Sequence, residues 1–253
     1  MTGSADIAGF RVPVSWPSRV LARGLLRFLH DCAKVVCRVP IQVSGREQLE
    51  DVGQSIVVAN HNSLVDTPVL FLALPGSRRN RTATVGGLDY FTPDPSQPLW
   101  ERGFRKVVIW FIRSAMNVLL IERRGGEYSQ IDRIDAMLVE GWSLVIFPEA
   151  TRSRSGRMGR FRHGAAELAR RHGLPVIPAH VDGTDSVLPP GVRWPQAGTL
   201  KIAFGDPLLA EEDESAAAFT SRLREAVATL GPGARDQMPE PPVAGDSRVE
   251  VVP

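Results

Sequence analysis

Lysine is scarce in this 253-residue chain: 3 of its 30 basic residues are Lys and 27 are Arg. A guanidinium is a fixed, planar, five-donor group suited to phosphates and carboxylates, and genome composition produces the same bias. Cysteine is scarcer still. Cys32 and Cys37, five apart in a helix-like stretch, cannot make a disulfide framework and are expected to pack as small apolar residues. His-Glu-x-x-His, Cys-x-x-Cys and clustered His/Cys sets are absent, which excludes the usual zinc sites, and no metal is expected. Also missing are Gly-x-Ser-x-Gly, Gly-x4-Gly-Lys-Ser/Thr and a strand-anchored Gly-x-Gly-x-x-Gly. These absences count against an α/β-hydrolase, a P-loop NTPase and a dinucleotide enzyme. The longest apolar runs, Val69 to Leu74 and Val107 to Ile112, hold six residues each. A spanning helix needs about 20, so none is expected. Residues 1–10 lack the basic start and apolar run of a secretory signal, and the expected compartment is cytoplasmic.

The composition that remains is that of a globular α/β domain with a sizeable core: 43% hydrophobic, 23% charged, net charge +2. The small net charge is a cancellation. Residues 11–38 hold six basic groups and one acid, residues 150–172 seven Arg and one Glu, and residues 205–253 ten acids and four Arg. The basic residues lack interleaved aromatics and a recognition motif, so no nucleic-acid partner is expected.

Ser18 to Arg38 reads as an amphipathic helix with Ser18, after Pro17, as N-cap. Arg19, Arg23, Arg27, His30, Lys34 and Arg38 follow one face, and Leu21, Leu25, Phe28, Leu29, Cys32, Val35 and Val36 much of the other. Such a helix either packs on the domain with a solvated basic face, or lies in a membrane interface with Arg at headgroup level. Further on, strands (Gln54–Asn60, Arg81–Val85, Val118–Ile121, Ser143–Phe147, Val176–Val181, Leu200–Phe204) alternate with helices (Leu64–Leu74, Glu101–Ala115, Tyr128–Glu140, Gly164–His172, Ser215–Leu230). The alternation predicts an α/β fold: a mostly parallel central sheet with helices on both faces, preceded by the amphipathic segment. The expected organisation is a docking segment over 1–40, an α/β domain over 41–230, and a Pro/Gly-rich disordered tail over 231–253.

Chemistry-bearing residues gather at the carboxyl ends of the predicted strands, the edge where open α/β sheets bind ligands. The first strand runs into Asn60-His61-Asn62-Ser63-Leu64-Val65-Asp66. A turn there can fold Asp66 back onto the His61 imidazole. The carboxylate then fixes the tautomer and leaves the other nitrogen as a general base. A second strand ends in Glu122-Arg123-Arg124 and a third in Phe147-Pro148-Glu149-Ala150-Thr151-Arg152-Ser153, and a fourth carries Pro175 and Pro178.

These four blocks, in this order, resemble the glycerolipid acyltransferase family of the 1-acylglycerol-3-phosphate acyltransferase type. Its pattern is Asn-His-x4-Asp, a strand ending in Ile-x-Arg, Phe-Pro-Glu-Gly-Thr-Arg-Ser, and an apolar block with paired prolines. The resemblance spans about residues 41 to 210. It implies transfer of a fatty acyl group from acyl-CoA or acyl-carrier protein to a hydroxyl of 1-acylglycerol 3-phosphate, giving phosphatidate. His61 would be the base and Asp66 its orienter, with no cofactor beyond the thioester. By the same pattern Arg123 and Arg152 would hold the acceptor phosphate. Glu149 would bond an acceptor hydroxyl or position Arg152, and Thr151 would be a donor. Arg154, Arg157, Arg160 and Arg162 are expected to meet CoA phosphates, an acidic carrier protein or anionic lipid. Membrane lipids are expected partners, met peripherally on the inner face of the cytoplasmic membrane through the Arg19–Arg38 helix. The segment Val107 to Ile112 is expected chiefly in the core. Two residues depart from the pattern: Ala150 and Asn117 stand where Gly is usual. They keep other acceptors open, namely glycerol 3-phosphate, another lysolipid, an ornithine lipid or a glycolipid. A non-catalytic lipid-binding module of the same fold is the remaining alternative.

Overall fold

The computed structural model describes residues 15–87, 98–121, 129–149, 158–189, 192, 194–231 and 250–251. Its elements, in chain order, are α1 (Trp16–Val36), β1 (Ile41–Ser44), α2 (Glu47–Glu50), β2 (Ile56–Ala59), α3 (Asp66–Ala73), α4 (Gly76–Arg79), β3 (Thr82–Gly87), α5 (Leu99–Met116), β4 (Val118–Ile121), α6 (Ser129–Val139), β5 (Ser143–Ile146), α7 (Gly164–His172), β6 (Val176–Asp182), α8 (Thr184–Val187), β7 (Leu200–Phe204), α9 (Ala216–Thr229) and β8 (Glu250–Val251). The strands lie in one sheet in the order β4-β3-β5-β2-β6-β7-β1-β8. β4, β3, β5, β2 and β6 are mutually parallel. β7 runs antiparallel to β6, β1 follows β7 in parallel, and β8 closes that edge antiparallel.

The central strands are short and apolar because helices cover both their faces. Every residue of β2 is buried. Val57 and Ala59 face a layer formed by Ala22 and Leu26 of α1, Val69 to Leu74 around α3, and Ala115 and Met116 of α5. Ile56 and Val58 face the opposite layer, built from Ile134, Met137 and Leu138 of α6, Leu168 of α7, and Phe219, Leu223 and Val227 of α9. The expected mostly parallel sheet with helices on both faces is therefore the architecture found.

Element ends differ from the sequence reading where side chains take over from the ladder. β2 starts at Ile56, because the Gln54 amide donates to the carbonyls of Leu138 and Trp142 at 2.6 and 2.9 Å. It ends before Asn60, whose side chain pairs both ways with the backbone of Val181, at 2.8 and 2.7 Å. α3 begins at Asp66 rather than Leu64, with Pro68 inside the first turn, where its missing N–H costs nothing. Asn117 has φ 51° and ψ 39°, a left-handed residue closing α5. Its buried amide donates to the carbonyls of Arg79 and Thr82, both at 2.9 Å. A position that needs positive φ accepts Asn as well as Gly, which accounts for this departure from the family pattern.

The N-terminal helix differs from the expectation in its cap and in the face it packs. Its N-cap is Ser15, not Ser18; Pro17 occupies the first turn, and Ser18 Oγ lies 2.9 Å from Ser15 Oγ. Its orientation is also reversed relative to a helix packed by its apolar stripe. Ala22, Leu26 and His30 are buried. Arg23, from the supposed solvated face, donates inward to the carbonyls of Ala115 and Arg79, both at 3.2 Å, and to the side chain of Asn80. Trp16, Val20, Leu21, Leu25, Phe28, Leu29 and Val35 are exposed, Phe28 at 62%. α5 lies along α1. The Val107–Ile112 stretch divides there: Phe111 and Ile112 pack on the core, while Val107 and Trp110 remain exposed, as does Trp100 at 72%. Cys37 packs against the same apolar layer, and both cysteines are free and half-buried. Of the expected tail, Glu250 and Val251 pair with Val43 and Gln42 of β1. Residues 232–249 and 252–253 lie outside the described residues.

Candidate active site

β2 and β5 are parallel neighbours, Val58 opposite Ile146, so the chain leaves both strands at the same point of the sheet edge. That adjacency brings the turn after β2, with His61, against Phe147-Pro148-Glu149 after β5. The His61 ring stacks on Phe147, centroids 4.4 Å apart and planes inclined by 26°. Nδ1 of His61 lies 2.8 Å from Oδ2 of Asp66. Asp66 is fully buried at the first position of α3, and the same Oδ2 accepts from the amides of Asn62 and Ser63 at 2.6 and 2.8 Å.

Because that oxygen is a carboxylate acceptor, the proton shared with the ring sits on Nδ1. Nε2 then carries the lone pair, and no described residue bonds it. The ring keeps 17% of its exposure, enough for a hydroxyl to reach it. The amide donors and the amino end of α3 turn the positive ends of their dipoles toward Asp66. The arrangement can take a proton at Nε2 while the carboxylate supports the charge that forms.

Glu149, 8% exposed, accepts from the His61 amide at 2.9 Å through one oxygen and from the Gly159 amide at 2.8 Å through the other. Phe161, beyond Gly159, is buried, with the exposed side chains of Arg160 and Arg162 on either side of it. Arg123, Thr151, Arg152, Arg154 and Arg157, with Ala150, lie outside the described residues. Two participants were not picked out from sequence. Phe147 stands in the third block with no role assigned by the pattern; the signal for it is an aromatic at a strand's carboxyl end. Gly159 carried no signal at all, since its partner is ten residues away through a loop. Near the site, on β6, burial pushes His180 below the usual imidazole value of 6.5. The carbonyl of Val227 and the charges of Asp182 and Glu149 oppose that shift. Among the described residues, no His, Cys, Asp and Glu side chains gather in threes as a metal cage, and no helix is long and apolar enough to cross a membrane.

A His–Asp pair with its carboxylate buried at the carboxyl edge of an α/β sheet is an arrangement able to take up a proton. The chain belongs to the Acyltransferase family, whose model matches residues 40–182, more than half of its length. It is 28% identical to a 1-acyl-sn-glycerol-3-phosphate acyltransferase of Chlamydomonas reinhardtii over 68% of this chain and 48% of that protein. To the mouse 1-acyl-sn-glycerol-3-phosphate acyltransferase alpha it is 23% identical, over 89% of this chain and 78% of the relative. The crystal structure of the 1-acyl-sn-glycerophosphate (LPA) acyltransferase PlsC from Thermotoga maritima shares the fold. Its TM-score is 0.62 at 23% identity, covering 86% of this chain and 81% of that one. Against three of the curated relatives, the matched stretch covers between 24% and 48% of their own length.

Proposed function

We propose that the protein is an O-acyltransferase that moves a fatty acyl group from acyl-CoA or acyl-carrier protein to the free hydroxyl of 1-acylglycerol 3-phosphate, producing phosphatidate for phospholipid synthesis. The observation that carries this reading is the His61–Asp66 pair, in which Asp66 is fully buried while the His61 side chain keeps 17% of its exposure. Nε2 takes the proton from the acceptor hydroxyl as the oxygen attacks the thioester carbonyl. The tetrahedral intermediate collapses, the C–S bond breaks, and the thiolate leaves and is protonated. Asp66 holds the imidazolium through the step. A thiolate is a good leaving group and no covalent enzyme intermediate is required. The thioester is a co-substrate, and no cofactor takes part.

In this reading Arg123 and Arg152, with Thr151, bind the acceptor phosphate, since guanidinium forks match phosphate oxygens in pairs. Arg154, Arg157, Arg160 and Arg162 meet the donor's phosphates or anionic lipid. The protein works as a peripheral enzyme on the cytoplasmic face of the membrane. The outward apolar side of α1 supports that docking: Trp16, Leu21, Leu25 and Phe28 are exposed with no covering element among the described residues. Ala150, the departure beside the phosphate-binding arginine, is the reason for testing other acceptors.

The deciding experiment incubates the purified protein with one labelled acyl-CoA or acyl-carrier protein against a panel of acceptors: 1-acylglycerol 3-phosphate, glycerol 3-phosphate, other lysolipids, a lyso-ornithine lipid and a glycolipid. Thiol release that depends on 1-acylglycerol 3-phosphate and yields phosphatidate is expected. Transfer confined to another acceptor would keep the chemistry and replace the substrate. Lipid binding with no transfer to any acceptor would favour the non-catalytic module.

A further inference from the structure

Both oxygens of the Glu149 carboxylate are committed to backbone amides from two separate stretches of chain. One amide belongs to His61, the residue whose ring is the proposed base. The other belongs to Gly159, which closes the segment that starts at Glu149 itself and carries Thr151 and Arg152. The foot of that segment is closed twice more. The Arg162 amide donates to the Pro148 carbonyl at 2.9 Å. From α9, Arg224 donates to the carbonyls of Gly159 and Met158 at 3.1 and 3.3 Å. Among the described residues no basic side chain forms an ion pair with Glu149. Its charge is held by N–H donors, which makes both bonds charge-assisted. The fit is close: a Cβ on Gly159 would sit 3.0 Å from Oε2 of Glu149, so alanine there presses the carboxylate aside by a few tenths of an ångström.

We infer that Glu149 is a positioning residue: it ties the backbone of His61 to that of Gly159 and so holds the proposed base in place. The inference rests on the acyltransferase reading and deepens it. The acceptor hydroxyl must meet Nε2 at a set distance, so the backbone that carries the His61 ring has to be held. A misplacement of about 1 Å at a reacting centre can cost about a hundredfold in rate. A carboxylate that ties the His61 backbone to that of Gly159 is a direct means of holding it. In this role the Glu149 side chain acts through two peptide groups.

The test compares Glu149→Gln, Gly159→Ala and the double variant in the full chain. It uses steady-state kinetics with acyl-CoA and 1-acylglycerol 3-phosphate, together with amide hydrogen exchange. An amide side chain cannot accept through both of its ends, so Glu149→Gln loses one arm of the clamp, and Gly159→Ala displaces the same carboxylate from the other side. Each single change is expected to lower kcat about ten- to a hundredfold with acceptor KM moved less than about threefold. The double variant should be no worse than the poorer single variant. The His61 or Gly159 amide should exchange at least about tenfold faster in Glu149→Gln. A raised acceptor KM with kcat preserved would make Glu149 an acceptor contact and overturn the inference. So would effects that multiply in the double variant, or unchanged exchange at both amides. If the wild-type protein turned over none of the thioester and acceptor pairs, the acyltransferase reading would fall. The exchange data alone would then decide whether the clamp exists.

Discussion

Oδ2 of Asp66 receives Nδ1 of His61 at 2.8 Å while holding two amides of the intervening turn, those of Asn62 and Ser63. The carboxylate therefore shapes the turn and sets the ring's tautomer with the same atom. Asp66→Asn keeps an oxygen for the amides but removes the charge that supports the imidazolium. We expect kcat for acyl transfer to fall about 10²- to 10⁴-fold with the circular-dichroism spectrum unchanged. A variant with wild-type kcat would show that the pair does not act in the reaction.

Asn117 offers a stability test of the family departure. Asn117→Gly keeps the left-handed backbone free of strain but loses two buried hydrogen bonds, to the carbonyls of Arg79 and Thr82. The expected loss is about 1–2 kcal/mol. Asn117→Ala adds the left-handed penalty of about 1 kcal/mol and should be the worse of the two. Urea unfolding midpoints measure both, and equal midpoints for Gly and Ala would contradict the strain argument.

How far the sequence foretold this structure follows from the distance over which each feature is decided. The His61–Asp66 pair is set within one turn between a strand and a helix, so its spacing allows the contact, and the company of the other blocks of the family pattern singles it out from a chance His-x4-Asp. The parallel centre follows from local apolar runs alternating with helical periodicity. The reversal at β7, the pairing of β1 with β7, and the partners of Glu149 depend on contacts between distant segments, and no local pattern encodes them. The packing of α1 is not legible in the sequence for a different reason. Both of its faces carry a periodic pattern, and periodicity does not say which face meets the domain. Arginines that bond carbonyls, as Arg23 does with Ala115 and Arg79, can face inward and leave the leucines outside.

His180 predicts a pH dependence of stability. Burial puts its folded-state value below 6.5, so the unfolded chain takes up the proton first as pH falls. The contribution of this group is complete above pH 6.5 and is lost as pH drops through that value toward the folded-state one. The unfolding free energy of the wild type should decline over this range, and His180→Gln should decline less steeply. Identical slopes would place the linkage elsewhere.

The outward face of α1 predicts an effect separable from folding. Leu25→Glu with Phe28→Glu alters two exposed positions. The variant should keep its melting temperature to within a few degrees, on the order of a surface substitution's effect. It should fail to co-sediment with anionic vesicles that retain the wild type. Co-sedimentation at the wild-type level would remove α1 from the docking surface.

The central claim is that Nε2 of His61 takes the proton from the acceptor hydroxyl. The most direct measurement is thiol release and phosphatidate formation from labelled acyl-CoA and 1-acylglycerol 3-phosphate, by the purified wild type and by His61→Ala at equal folded concentration. The account predicts matched release and product formation for the wild type, and a loss of at least about 10²-fold for the variant. Undiminished transfer by His61→Ala would contradict it.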